Sequence, residues 1–292
     1  MSCDTNVVIV TVGSRAAEAL RAHERGHVFA VFERSFYVRF GDDLVCFGPL
    51  ALRAGPLNAL YEGRMSWPER GLAPDVGVVR DGTSLRIDER VRVDFADAQP
   101  WTPPVGPRAI DCAILRAGLD RLAACVARRA PGGFGSLLCA RRAKNDPLLD
   151  ASAPAIVSLR AWLSASLANR DEPPPDVDAL IGLGGGLTPS GDDYLCGLMT
   201  ALNYFGHGSI ASRLAGVVLP IARHETNLVS QAYLRCASAG EASIVLFDVL
   251  ECLLDAEQPA LDERLDAVDA VGHTSGWDCL AGAVAVCATL VD

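Results

Sequence analysis

Aromatic residues are scarce in this chain, 6% of 292 residues, and other absences narrow the possibilities further. A basic surplus is missing. Lysine and arginine total 26 against 36 acidic residues, a formal charge of −10. Nucleic acid is therefore not an expected partner, since phosphate recognition needs a basic face. An anion can still be held, but only locally, by backbone N–H groups or a few placed donors. No block of like charges marks a tail. No apolar run, including that at 279–288, approaches the roughly 20 residues that cross a bilayer. A charged n-region followed by a long apolar stretch is absent from the start, so the sequence reads as cytoplasmic, with no signal peptide and no membrane partner. The ten cysteines, at 3, 46, 112, 125, 139, 196, 236, 252, 279 and 287, form no C-x-x-C pair. None stands at metal-ligand spacing from a histidine, and most lie in apolar segments. Reduced, mostly buried thiols are expected rather than zinc ligands or disulfides.

What the chain has in quantity is apolar residues, 50% of the total, which is ample for a core and excludes disorder as its class. Short β-branched or alternating runs fill the first hundred residues: VVIVTV (7–12), HVFAVFERSFYVRF (27–40), DLVCFG (43–48) and SLRIDERVRVDF (84–95). Gly-Asp-Asp at 41–43 suits a hairpin turn, 15–25 reads as a helix, and Gly-Pro in 53–63 breaks the strand pattern. QPWTPPVGPR (99–108) carries four prolines and marks a boundary. Beyond it the texture turns to Ala/Leu-rich helical stripes at 110–129, 156–167, 189–205, 209–222, 225–238, 241–255, 261–270 and 275–290. The expected fold class is α+β: a β-rich domain over 1–100, then an α-helical domain over 108–292.

One segment, IGLGGGLTPSGDDYLCGLMTAL (181–202), concentrates backbone freedom and hydrogen-bonding groups ahead of a helix. Thr188-Pro189 is a helix-start signature, with Thr as N-cap and Pro in the first turn. Gly184, Gly185 and Gly186 permit positive φ and close backbone approach. Free N–H groups at a helix start favour phosphate or carboxylate, helped by the helix dipole. Thr188, Ser190 and Gly191 complete that candidate anion site. It is not a Walker loop, because no lysine follows the last glycine, and no βαβ unit surrounds it to make a dinucleotide fingerprint. Asp192 and Asp193 suit a helix first turn as simple favourable charges. Asp192, however, shares a helical face with Leu195, Met199 and Leu202 and is expected to point inward. An inward carboxylate beside an anion site suggests a general base, a partner for a substrate amide, or a metal ligand, and Asp192 or Asp193 is the candidate for each role, with Mg²⁺ the candidate ion.

Two stretches echo this one. GHTSGWDCLAG (272–282) aligns with LTPSGDDYLCG at an offset of 85, matching Ser190 with Ser275, Gly191 with Gly276, Asp193 with Asp278 and Gly197 with Gly282. Two Ser-Gly-x-Asp helix starts are thus expected to pack together and face one pocket, with Thr274 and Gly276 beside them. His273, just before the second turn, is the candidate proton carrier. In RHETNLVSQAY (223–233), Thr226, Asn227 and Ser230 are poor choices for a merely solvated helix and suggest a polar pocket wall. Arg223 and His224 are candidate cations there. His23, His27 and His207 have no motif around them.

In these three blocks the chain resembles a bacterial family that includes a subunit of the oxamate carbamoyltransferase of anaerobic allantoin degradation. The blocks are GLGGGLTPSGDD (182–193), HETNLVSQAYL (224–234) and GHTSGWD (272–278), and FERSFYVRF with GPLALRAGPLNAL extends the likeness towards the N-terminus. The departure from the family pattern is Gly185, where proline is usual. The resemblance implies carbamoyl transfer between phosphate and a small amide acid such as oxamate, alongside partner subunits resembling acyl-CoA synthetases. The residues themselves leave three readings. One is a carbamoyl- or acyl-transferase subunit that positions a small anion (carbamoyl phosphate, phosphate or oxamate) and stabilises developing charge. The second is a non-catalytic assembly or metabolite-sensing subunit. The third is packing alone, with glycines as contact points and aspartates as caps. No Ser-His-Asp or Cys-His nucleophile stands out.

Overall fold

The computed structural model describes residues 5–139, 146–257 and 260–292. Cys3 lies outside the described residues; none of the nine described cysteines is in a disulfide. The chain divides into two compact units, residues 1–103 and 104–292.

The first unit is a closed barrel. Its strands are β1 (Thr5–Gly13), β2 (Arg25–Val31), β3 (Phe36–Phe40), β4 (Asp43–Pro49), β5 (Asn58–Tyr61), β6 (Gly77–Asp81), β7 (Ser84–Ile87) and β8 (Val91–Asp94), with helix α1 (Ser14–Ala22) after β1. The hydrogen-bonded order runs β5-β4-β3-β2-β6-β7-β8-β1, and β1 returns to β5 in antiparallel register, Val12 opposite Ala59. Closure leaves these eight strands without a free edge. The hairpin turn expected at 41–43 joins β3 to β4 through two residues, Gly41, at φ 61°, and Asp42. Phe36, Phe40, Phe47, Val45, Leu85 and Val93 fill the core with Trp67, whose indole N–H donates to the Tyr61 hydroxyl at 2.9 Å.

Two strands depart from the sequence reading. The stretch at 53–63, expected only to interrupt the strands, contains β5, the strand that closes the barrel; four residues after Gly-Pro are too few to show a period. The proline-rich boundary contains β9 (Gln99–Trp101), parallel to β1 beyond the end of β8. Proline is tolerated there because β9 is an edge strand.

The second unit is helical: α2 (Cys112–Arg129), α3 (Pro147–Leu167), α4 (Ser190–Tyr204), α5 (Gly208–Glu225), α6 (Leu228–Ser238), α7 (Ile244–Leu253), α8 (Leu261–Asp269) and α9 (Ser275–Val291). Asp111 and Asp146 cap α2 and α3, each accepting two first-turn N–H groups. α3 starts nine residues earlier than the stripe at 156 suggests, because Pro147 occupies its first position and Pro154 sits within it, masking the periodicity. α4 is the centre. Every residue from Ser190 to Leu202 is buried, the pattern of a helix surrounded on all sides.

α4 and α9 touch backbone to backbone. A Cβ built on Gly197 would stand 1.7 Å from the Cys279 carbonyl oxygen, and one on Gly282 would stand 1.9 Å from that of Tyr194. Residues 197 and 194 match 282 and 279 at the offset of 85, so the contact is reciprocal and the two helices are related by an approximate internal two-fold. Neither position has room for a methyl group. Gly197→Ala is expected to destabilise the chain by about 3 kcal/mol in urea denaturation, the order for overpacking against rigid backbone. Gly216→Ala is the control, at an exposed position in α5 with nothing within 4 Å, and should stabilise by about 0.5–1 kcal/mol.

Candidate functional site

The glycine-rich segment reaches α4 through three residues of positive φ: Gly182 at 73°, Gly184 at 110° and Gly186 at 95°. Helix α4 begins at Ser190 with no side-chain cap, so Thr188 is not the N-cap its sequence suggests. Gly191 and Gly276 are not free donors either. The Gly191 N–H donates to the Leu183 carbonyl at 3.0 Å and the Gly276 N–H to that of Val271 at 3.1 Å. Their Cβ positions would fall 1.9 Å from the Leu180 carbonyl oxygen and 2.3 Å from that of Val268. Gly191 lets the turn at Leu180 lie flat on the start of α4, and Gly276 lets the last turn of α8 lie against the start of α9.

Asp192 is fully buried and its carboxylate is saturated. Oδ1 accepts from the Gly182 N–H at 2.9 Å, while Oδ2 accepts from Thr226 Oγ1 at 2.5 Å and Ser230 Oγ at 2.6 Å. Asn227 accepts from the N–H groups of Val229 and Ser230 and thereby caps α6. The polar block at 224–234 is thus explained by anchoring: the junction of α5 and α6 is tied to α4 through one carboxylate. Hydrogen bonds to a charged group contribute about 1.5–3 kcal/mol each, so Asp192 acts as an acceptor that holds these elements together. Among the described residues, no three His, Cys, Asp or Glu side chains gather to hold a metal ion. Arg223 and His224 are exposed at the end of α5.

The two Ser-Gly-x-Asp turns meet. Thr188 Oγ1 and Ser275 Oγ share a hydrogen bond of 2.8 Å. The Ser275 hydroxyl sits against the Asp193 carboxyl and the Ser190 hydroxyl against that of Asp278, so each turn's serine serves the other turn's aspartate. Asp278 Oδ1 also accepts from the Phe134 N–H at 2.5 Å. That donor belongs to PGGFG (131–135), which the sequence reading passed over although its Pro-Gly-Gly-x-Gly spacing signals unusual backbone. Gly133, at φ 57°, lies so close to the Asp278 carboxyl that a Cβ there would be 2.3 Å from Oδ1. Behind it, Gly135 packs on Trp277, whose indole N–H donates to Asp269 Oδ1 at 2.6 Å.

Both carboxyls are buried, and in each the Oδ2 atom has no hydrogen-bond partner among the described residues. An unsatisfied buried polar group costs about 1–3 kcal/mol, which is why folded proteins retain few. Burial pushes Asp193 well above the ordinary carboxyl range. The Ser275 and Thr188 hydroxyls oppose that shift, and the Asp278 and Asp192 charges add to it. Asp278 is raised by burial as well, against the pull of Ser190, Thr274 and the Phe134 and Gly135 N–H groups. Around this buried pair, Gly184, Gly185, Gly186, Gly272 and His273 are exposed, with Thr188 and Thr274 half-buried between them.

Residues 180–287 match a family model, oxamate carbamoyltransferase subunit AllH. This is the family that the three sequence blocks resemble. The AllH span holds all three blocks, from the turn before α4 into α9, so it contains the paired turns and the Asp192 anchor; PGGFG and the barrel lie outside it. No solved structure matches the chain. Among the described residues, no helix is long and apolar enough to cross a membrane.

The raised carboxyls give a stability test. An unfolded aspartate titrates near about 3.9, whereas the folded chain keeps its proton to higher pH. The protonated pair therefore supports folding below that value, and the support is lost as pH rises through the folded pKa. Urea denaturation from pH 4 to pH 8 should show this loss in the wild type and a shallower one in Asp193→Asn. Parallel profiles would mean that Asp193 ionises normally.

Proposed function

We propose that this chain is a subunit of a carbamoyl- or acyl-transferase-type assembly that binds a small anionic substrate at the paired helix starts. The candidates are carbamoyl phosphate, phosphate, or a small amide acid such as oxamate. The observation that carries the reading is the Thr188–Ser275 hydrogen bond, which brings the glycine-rich turn and the second Ser-Gly-x-Asp turn side by side. Two helix N-termini then bring their positive dipole ends to one place, an arrangement suited to an anion in an acidic protein. Exposed Gly184, Gly185 and Gly186 offer backbone N–H groups, Thr188 and Thr274 offer hydroxyls, and His273 stands at the rim to move a proton. Carbamoyl transfer asks for such positioning and charge stabilisation more than for a protein nucleophile.

Gly185 makes the reading sharp. It has neither positive φ nor any neighbour within 4 Å of its Cβ position, so the fold does not require glycine there. Calorimetric titration of the purified chain with phosphate, carbamoyl phosphate and oxamate should give saturable binding. Gly185→Leu, which places bulk over the loop, should weaken it about tenfold or more while leaving the melting temperature unchanged, and Ser275→Ala should also weaken it. An absence of binding to all three anions overturns the proposal. Transfer that appears only on adding partner subunits and survives Ser275→Ala and His273→Ala favours a non-catalytic assembly role.

A further inference from the structure

The anion reading leaves the buried pair Asp193 and Asp278 unexplained, because carboxyl oxygens do not hold an anion. Each sits in the same place in its turn, 85 residues apart, braced by the serine of the other turn, and each leaves Oδ2 unpartnered. Two matching orphan oxygens at one site point to a shared missing partner rather than to two separate packing faults. The covering of the cluster points the same way. Three glycines of positive φ from three separate loops lie against it: Gly133 on the Asp278 carboxyl, Gly184 on Ser190 and Gly272 on Ser275. The backbone that closes the cluster meets it without side chains.

We propose that Asp193 and Asp278 together accept the two N–H groups of a primary amide, holding the carbamoyl end of the ligand whose anionic end lies on the glycine-rich loop. The inference rests on the anion reading above and adds the orientation of the ligand. A planar amide nitrogen carries two N–H donors, matching two acceptor oxygens supplied from either side of the internal two-fold. Serine and threonine hydroxyls already lie against both carboxyls, so the ligand supplies what the protein lacks. The loop alone would hold phosphate or any small carboxylate; the carboxyl pair would select those that bear an unsubstituted amide.

The full chain titrated with oxamate, N,N-dimethyloxamate and inorganic phosphate tests this. Oxamate should bind the wild type at least about tenfold more tightly than its dimethylated form, the scale for losing hydrogen bonds to buried carboxyls. Asp193→Asn and Asp278→Asn should each weaken oxamate about tenfold and leave phosphate unchanged. Equal affinity for the two oxamates, or unchanged oxamate binding in both variants, overturns the inference while phosphate binding still supports the anion site. Absence of both phosphate and oxamate binding removes the anion reading and this inference together. If the variants do not fold, the comparison of the two oxamates on the wild type decides alone.

Discussion

The close crossing of α4 and α9 is the constraint on which the helical unit depends. Two helices that meet through side chains lie about 8–10 Å apart. Here Gly197 and Gly282 let each backbone rest on the other's carbonyls, at Cys279 and Tyr194. Such a contact permits little sliding or rotation, because the fit is between main chains rather than adaptable side chains. It also places the two helix starts together, since Ser190 and Ser275 each stand seven residues before their glycine. The Thr188–Ser275 hydrogen bond and the exchanged serine–aspartate contacts follow from that placement.

Around this crossing the polar groups divide the work. Asp192 faces α6 and is satisfied three times over, fixing the loop before α4 through Gly182 and the α5–α6 junction through Thr226 and Ser230. Asp193, one residue on, faces the second turn and keeps an oxygen without a partner. A helix turns about 100° per residue, so adjacent carboxylates look into different surroundings. One became a strut, and the other lies buried against the opposite turn.

Much of this was legible in the sequence, and the reasons for the rest are physical. The change from strand texture to helical texture was clear because period 2 and period 3.6 are distinct. The offset of 85 between the two Ser-Gly-x-Asp blocks held the pairing of α4 with α9, since the same residues at the same spacing meet the same backbone demands. β5 was hidden because four residues carry no period, and the barrel's closure could not be read without it. Thr188 was assigned as a cap from local preference, whereas a contact 87 residues away claims its hydroxyl. The Thr226, Asn227 and Ser230 wall was rightly set apart from ordinary helix surface, but its polarity serves Asp192 and the α6 cap. Gly133 and Phe134 were missed because nothing local states that a loop so distant in the chain will lie on Asp278.

The exchange of serines between turns explains why the two carboxyls can be buried at all. A lone aspartate at a helix start is ordinarily stabilised by the N–H groups of its own first turn. Asp193 and Asp278 are drawn inward between two such starts, where the dipole ends and the opposing hydroxyls favour their charge while burial and mutual repulsion oppose it. The balance falls on the side of burial, and both are raised. A group held in that state changes its charge when its surroundings change slightly. N–H donors brought to the orphan oxygens would favour the charged form of the pair.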